Sequence, residues 1–177
     1  WHTDDSYFEV PAKATMLQSI VIPSAGGQTK FSSMRKAYED FPDDRKSELD
    51  DLQAVHSYDT GRAPGRPKVR TQAEANETPD VVHPLVRTHE DTGRKSFYFN
   101  ANRTDRIVGW ERVESDNLLD EIYERITRPK YQYHHEWRVG DLLLWDNRCL
   151  VHSVNVDYPV GEKRLHQRIL LKGSRPV

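Results

Sequence analysis

The sequence predicts a mainly β fold with helical insertions, a sandwich or jelly roll carrying helices between its strands. Short apolar runs rich in strand formers recur, among them ATMLQSIVI, CLVHSV and RLHQRILLK. Turn clusters such as SAGG and EDTG separate such runs. Helical spacing takes over in only a few intervening segments.

Taken in chain order, residues 1–22 read as two extended runs, the second closed by Pro23 and SAGG. QTKFSS follows as a short strand. Met34, Ala37, Tyr38 and Phe41 then share one helical face, with Ser32–Ser33 as the cap. A second helix is expected from Asp43, turning Leu49, Leu52 and Val55 inward. Residues 57–80 are polar, with Gly, Pro and charge and no apolar period. A loop this long in a compact domain is usually functional or disordered, and a lid or flexible loop is expected here. VVHPLVRTH and RKSFYF flank EDTG and read as a hairpin. ESDNLLDEIYERITR is an amphipathic helix with Leu118, Leu119, Ile122, Tyr123 and Ile126 inward. YQYHHEWR, LLLW, CLVHSV and RLHQRILLK complete the strands, and no internal repeat is visible.

With 177 residues the chain suits one domain, 1–177, with a real core. A formal net charge of -2 argues against a nucleic-acid protein held by a broad basic surface. Cys149 is the single cysteine, so no intrachain disulfide forms, which suits a reducing, cytoplasmic compartment. No apolar run is long enough to cross a membrane, and no membrane partner is expected. The chain has no initiator Met and begins inside what reads as a strand, so an N-terminal segment is expected to be missing from it.

The opening WHTDDSYF places His2 and Asp4 two apart, on one side of a strand. Two histidines and one carboxylate on one face of an octahedron suit non-haem iron(II), with positions left for substrate and oxygen. The second histidine must come from elsewhere in the chain. His134 and His135 are adjacent and point to opposite faces. His83 precedes Pro84 and starts a hairpin. His152, in WDNRCLVHSV, follows a tight Asp-Asn turn and is best placed. An HxD pair alone is weak, and a solvated or turn-side pair is the commoner origin of that spacing. Further on, KRLHQR sets Arg164 and Arg168 four apart on one strand face. Arginine's planar fork matches a carboxylate, although an exposed basic strand is an equal alternative from these residues alone.

The blocks WHTDDSYF, GGQTKFSSMRKAYEDFP, HPLVRTHEDTGRKSFYF, WRVGDLLLWDNRCLVH and KRLHQR occur in this order. Together they resemble the iron(II)- and 2-oxoglutarate-dependent dioxygenase family, in the branch of taurine dioxygenase and 2,4-dichlorophenoxyacetate dioxygenase. The likeness covers essentially the whole chain. It implies a double-stranded β-helix, the jelly roll of that family, lacking here the family's N-terminal segment. It implies His2, Asp4 and His152 as catalytic metal ligands, with Asp4 favouring oxygenation over halogenation. It implies Arg164 and Thr29 on the distal carboxylate of the cosubstrate 2-oxoglutarate, and Arg168 on an anionic group of the substrate. The implied reaction hydroxylates a small anionic molecule (a sulfonate, carboxylate or aryloxyacid) with O2, releasing succinate and CO2. FYFNANRTDRIVG departs from the histidine-containing form of aryloxyacetate enzymes, which counts against 2,4-dichlorophenoxyacetate itself.

Other residues have plainer readings. Gly26 and Gly27 make a turn, Asp146 and Asn147 form another, and Trp1, Trp145 and Cys149 belong to the core. His166, between the two arginines, is expected to be packed or solvated. Many relatives form homo-oligomers, but no interface signal decides that here. The rival readings are a non-catalytic jelly roll binding metal and a dicarboxylate, and a metal-dependent isomerase or hydrolase that needs no 2-oxoglutarate.

Overall fold

The computed structural model of the chain describes residues 1–63 and 71–177. In order come β1 (Ala12–Val21), β2 (Thr29–Ser33), α1 (Met34–Glu39), α2 (Asp43–Leu49) and β3 (Gln53–His56). The short helix α3 (Gln72–Glu77) precedes β4 (Val81–Pro84), β5 (Val86–Thr88), β6 (Lys95–Phe97) and β7 (Thr104–Ile107). The long helix α4 (Arg112–Ile126) and a 3-10 turn at Pro129–Tyr131 lead to β8 (Gln132–His135). Strands β9 (Leu142–Asp146), β10 (Leu150–Val154) and β11 (Leu165–Lys172) follow. The molecule is mainly β with few helices.

The strands pair antiparallel, in the orders β11-β1-β9, β10-β2-β8 and β4-β3-β7, with β5-β6 as a hairpin. β1 and β2, early in the chain, are each flanked by strands from its last third. This interleaving draws the first and last thirds together around the site.

The core lies between α1, α4 and the strands beside them. Met34, Ala37 and Tyr38 of α1 meet Leu118, Leu119, Ile122 and Ile126 of α4 in one buried cluster with Leu85, Phe97 and Val151. Ser33 caps α1, its side chain accepting from the Lys36 N–H at 3.2 Å. Ser115 of α4 accepts from the Ile107 N–H at 2.8 Å, tying that helix to β7.

Several expectations are corrected. The first run is not a strand: residues 4–7 form a turn, Asp5 has φ of 59°, and His2 makes an isolated bridge to His152. The second helix stops at Leu49, and Val55 lies in β3. Pairing on both edges, with β4 and β7, satisfies that backbone as a strand, which local helical spacing cannot anticipate. VVHP therefore pairs with β3, and the hairpin is confined to β5 and β6. TDRI forms β7, a strand the apolar pattern did not reveal. Tyr123 is exposed, on the rim of α4's apolar stripe. Within the expected loop 57–80, Thr71 and Glu74 form a reciprocal capping box that starts α3. Positions 64–70 of that loop lie outside the described residues. Among the described residues, no helix is long and apolar enough to cross a membrane.

Candidate active site

The bridge between His2 and His152 closes the two ends of the chain. The His2 N–H donates to the His152 carbonyl at 2.9 Å, and the His152 N–H to the His2 carbonyl at 2.7 Å. Their rings sit 4.1 Å apart. Asp4 comes back toward both from the following turn. Its Oδ1 is 3.8 Å from His2 Nε2, and its Oδ2 is 3.8 Å from His152 Nε2.

These separations are too long for hydrogen bonds. They fit atoms facing a common ion, since two ligands each about 2.1 Å from one metal lie at most about 4.2 Å apart. Burial lowers the pKa of both histidines, that of His152 to about 3, so each ring is neutral near pH 7 with a lone pair to offer. Two neutral imidazoles and a carboxylate, converging without bonding one another, fit a divalent ion such as iron(II).

The carboxylate is held from behind. Thr15 Oγ1 donates to Asp4 Oδ2 at 2.5 Å and accepts from Asn147 Nδ2 at 2.8 Å. Asn147 Oδ1 in turn accepts from Trp145 Nε1 at 3.0 Å, and the Asn147 carbonyl accepts from Thr3 Oγ1 at 2.7 Å. Trp145 also lies 4.9 Å from the His152 ring, and Phe31 lies 6.3 Å from it. Asn147 is thus more than a turn former. Trp145 and Cys149 are buried, as expected of core residues, and Trp1 is partly buried against the apolar cluster.

A cavity of about 290 Å³ opens beside this cluster, lined by His2, Asp4, Tyr7, Asn102, Arg103 and Arg168, among others. Arg168 reaches from β11 to within 3.8 Å of Asp4 Oδ1, with its side chain 57% exposed. The Arg103 guanidinium packs over Tyr58 and Tyr7, 4.4 and 4.9 Å from their ring centres. Asn100 anchors the opening segment, donating through Nδ2 to the Thr3 carbonyl and to Ser6 Oγ.

A second polar cluster gathers around Thr29, at the start of β2. Thr29 faces Val154, and Phe31 faces His152, so Thr29 lies two positions from the His152 register, about 6–7 Å along the strand. Arg164 donates through Nε to the Gly27 carbonyl at 2.9 Å and through Nη2 to Thr29 Oγ1 at 3.1 Å. Gly27 has φ of 70°, and a Cβ there would meet Pro23 Cγ at 3.0 Å and Arg164 Cδ at 3.3 Å. The GG turn therefore lets the backbone close against that arginine. Trp137 Nε1 donates to the same Thr29 oxygen at 2.9 Å. His166 packs edge-on against Trp137, as the packed reading expected.

The structure thus brings His2, Asp4, His152 and Arg168 to one place, and Thr29 with Arg164 to another beside it. Sequence reasoning did not single out Thr3, Thr15, Asn100, Arg103 or Trp137. Thr15 is fully buried, and its only local mark is a hydroxyl residue inside the apolar run ATMLQSIVI. The remaining histidines are elsewhere: His83 is buried against His56 and Tyr98, and His134 bonds Gln132.

His89, Asp146 and Cys149 also lie close enough to share an ion. There the charge is already met, because Arg148 donates to both Asp146 oxygens and His89 Nε2 is 2.9 Å from Oδ2. Burial alone would raise the Asp146 pKa, but the hydrogen bonds from Arg148 and His89 outweigh it and hold it at about 2. Burial also pushes the Cys149 thiol up to about 11, so it carries no thiolate near neutral pH. We read this cluster as an ion network.

A mainly β fold in which the opening segment and β10 bring two histidines and a carboxylate together offers a candidate metal site. The chain belongs to the family described as "Taurine catabolism dioxygenase TauD, TfdA family", which matches residues 1–170. It is 39% identical over 175 residues to an alpha-ketoglutarate-dependent 2,4-dichlorophenoxyacetate dioxygenase of Burkholderia sp. (strain RASC), covering 99% of this chain and 58% of the relative. An alkylsulfatase of Acinetobacter baylyi is 34% identical over 185 residues, covering 98% of this chain and 56% of that protein. Among solved structures, AAD-2 in complex with Mn(II) and N-oxalylglycine superposes with a TM-score of 0.91 at 34% identity, over 99% of this chain and 69% of that one. A taurine dioxygenase from Burkholderia xenovorans superposes with a TM-score of 0.86 at 30% identity, over 100% of this chain and 59% of the other. The chain spans a little under three fifths of the first of these relatives.

Proposed function

We propose that this chain carries the catalytic centre of an iron(II)- and 2-oxoglutarate-dependent dioxygenase, built on a double-stranded β-helix, that hydroxylates a small anionic organic substrate. The carrying observation is the convergence of His2, Asp4 and His152 at non-bonded distances, with Thr29 two positions from the partner of His152 on β2 and hydrogen-bonded to Arg164. His2, Asp4 and His152 would hold the ferrous ion. Arg164 and Thr29 would hold the distal carboxylate of 2-oxoglutarate. Arg168, on the cavity wall, would take the substrate's anionic group. When bound, iron and 2-oxoglutarate supply the oxidising power, consuming O2 and releasing succinate and CO2 as the substrate gains a hydroxyl.

The protein's own contribution is placement. Thr15 and Asn147 orient the Asp4 carboxylate, and the buried aromatics Phe31 and Trp145 keep His152 dry. Arg168 supplies a point of attachment beside the metal ligands. Relatives of the chain include dioxygenases of 2,4-dichlorophenoxyacetate and of sulfate esters, and both substrates are anionic. This favours an anionic substrate here. The lone, buried, unpaired Cys149 accords with a cytoplasmic setting.

The test is an anaerobic titration with iron(II) and 2-oxoglutarate, followed by the visible metal-to-ligand charge-transfer band. The band is expected only with both additions, and Arg164→Ala should weaken 2-oxoglutarate binding about 10–100-fold while iron still binds. A folded protein that shows no band is not a dioxygenase of this kind. A band without succinate release on exposure to O2, across a panel of anionic substrates, would favour the non-catalytic reading.

A further inference from the structure

Thr29 Oγ1 accepts twice, from Trp137 Nε1 at 2.9 Å and from Arg164 Nη2 at 3.1 Å. Indole and guanidinium nitrogens carry only N–H groups, so the oxygen must be the acceptor in both bonds. A hydroxyl has two lone pairs and one proton. With both lone pairs engaged, what remains is the O–H, and among the described residues it donates to no acceptor. The hydroxyl is therefore fixed as a donor, next to a guanidinium that also only donates. Such a pair suits an anionic oxygen and rejects a donor. Thr29 and Trp137 are both buried, so water does not compete readily for these bonds.

Trp137 is itself held in place. The His135 ring packs edge-on against it at 4.6 Å and the His166 ring at 4.5 Å. Among the described residues, both His166 nitrogens are buried without a hydrogen-bond partner, so that ring serves as a packing surface. The indole consequently has little freedom to move its N–H away from Thr29.

We propose that Trp137 is a positioning residue: its indole N–H occupies one lone pair of Thr29 and thereby presents the Thr29 O–H to the distal carboxylate of 2-oxoglutarate. The inference rests on the reading of Arg164 and Thr29 as the cosubstrate's anchor. Without the indole N–H, the hydroxyl can rotate, and its proton is no longer committed to one direction.

The test is a double-mutant cycle read by equilibrium binding. The iron(II)-loaded protein, kept anaerobic, is titrated calorimetrically with 2-oxoglutarate and with 2-oxobutyrate, which has the same chelating end but no distal carboxylate. The proteins are the wild type, Trp137→Phe, Thr29→Ala and the double variant. Trp137→Phe keeps an aromatic ring for His135 and His166 and removes the donor with part of the ring, so the 2-oxobutyrate titration separates the lost N–H from lost packing. It should weaken 2-oxoglutarate about five- to tenfold and leave 2-oxobutyrate unchanged. In the Thr29→Ala background it should cost nothing more. The inference is overturned if Trp137→Phe binds 2-oxoglutarate like the wild type, weakens both acids alike, or adds its full effect to Thr29→Ala. A wild-type protein that binds neither acid overturns the cosubstrate reading, and this inference with it.

Discussion

Asp4 shows how much of the site depends on single polar contacts. Its Oδ2 is engaged by Thr15, while its Oδ1 faces His2 and Arg168. Thr15 can serve this role because Asn147 already donates to its oxygen, leaving the Thr15 proton for the carboxylate. Partners of this kind commonly control metal affinity by about 10–100-fold. Thr15→Val, which keeps the shape and deletes the hydroxyl, should weaken iron(II) binding by about that factor in an anaerobic titration. An unchanged affinity would mean that Asp4 is oriented without Thr15. His2 and Asp4 were legible as candidates because side chains of those types two apart suggest a ligand pair. Thr15 was not, because strand periodicity draws attention to the apolar members of a run and leaves its polar members unexplained.

At the scale of elements, β2 does several jobs at once. It carries Thr29 toward the Arg164 cluster, pairs Phe31 with His152, and ends in Ser33, the cap of α1. Helix α4 has the opposite character, since its buried face contributes apolar bulk to the core. Ile122 and Leu119 are fully buried, whereas neighbouring Tyr123 is exposed. Ile122→Ala should therefore cost about 2–5 kcal/mol in urea-induced unfolding. Tyr123→Ala should cost clearly less, and equal losses would contradict the placement of the apolar stripe. α4 was readable from its period alone, as was the Ser33 cap. β3 was not, because QAVH follows a helix closely and becomes a strand only through β4 and β7 on its two edges. The capping box of α3 could have been read from Thr71 and Glu74, but the polar surroundings offered no apolar face to accompany it.

At the scale of the whole molecule, the buried His56–His83–Tyr98 group couples folding to pH. Burial holds His56 well below the ordinary histidine value of 6.5 and also lowers His83, so both are neutral in the folded protein near neutral pH. Below that value the unfolded chain takes up protons that the folded chain does not. Unfolding is therefore favoured as pH falls from about 6.5, and above it these two groups contribute no slope. Denaturant midpoints measured between pH 7.5 and 5 should decline, and His56→Gln should flatten the decline; a slope unchanged in the variant would assign it to other groups. The sequence by itself determined the mainly β class, most strand positions, the two main helices and the residue types of a candidate metal site. Those features are written locally, in apolar periodicity, turn residues and ligand chemistry. Only the tertiary structure decided that a backbone bridge sets His152 against His2, how Asn147 reaches Asp4 through Thr15, and that Trp137 and Arg164 share one oxygen of Thr29. Each of those contacts joins distant parts of the chain, and their partners are set by strand order and register across the whole molecule, which no short window of residues contains.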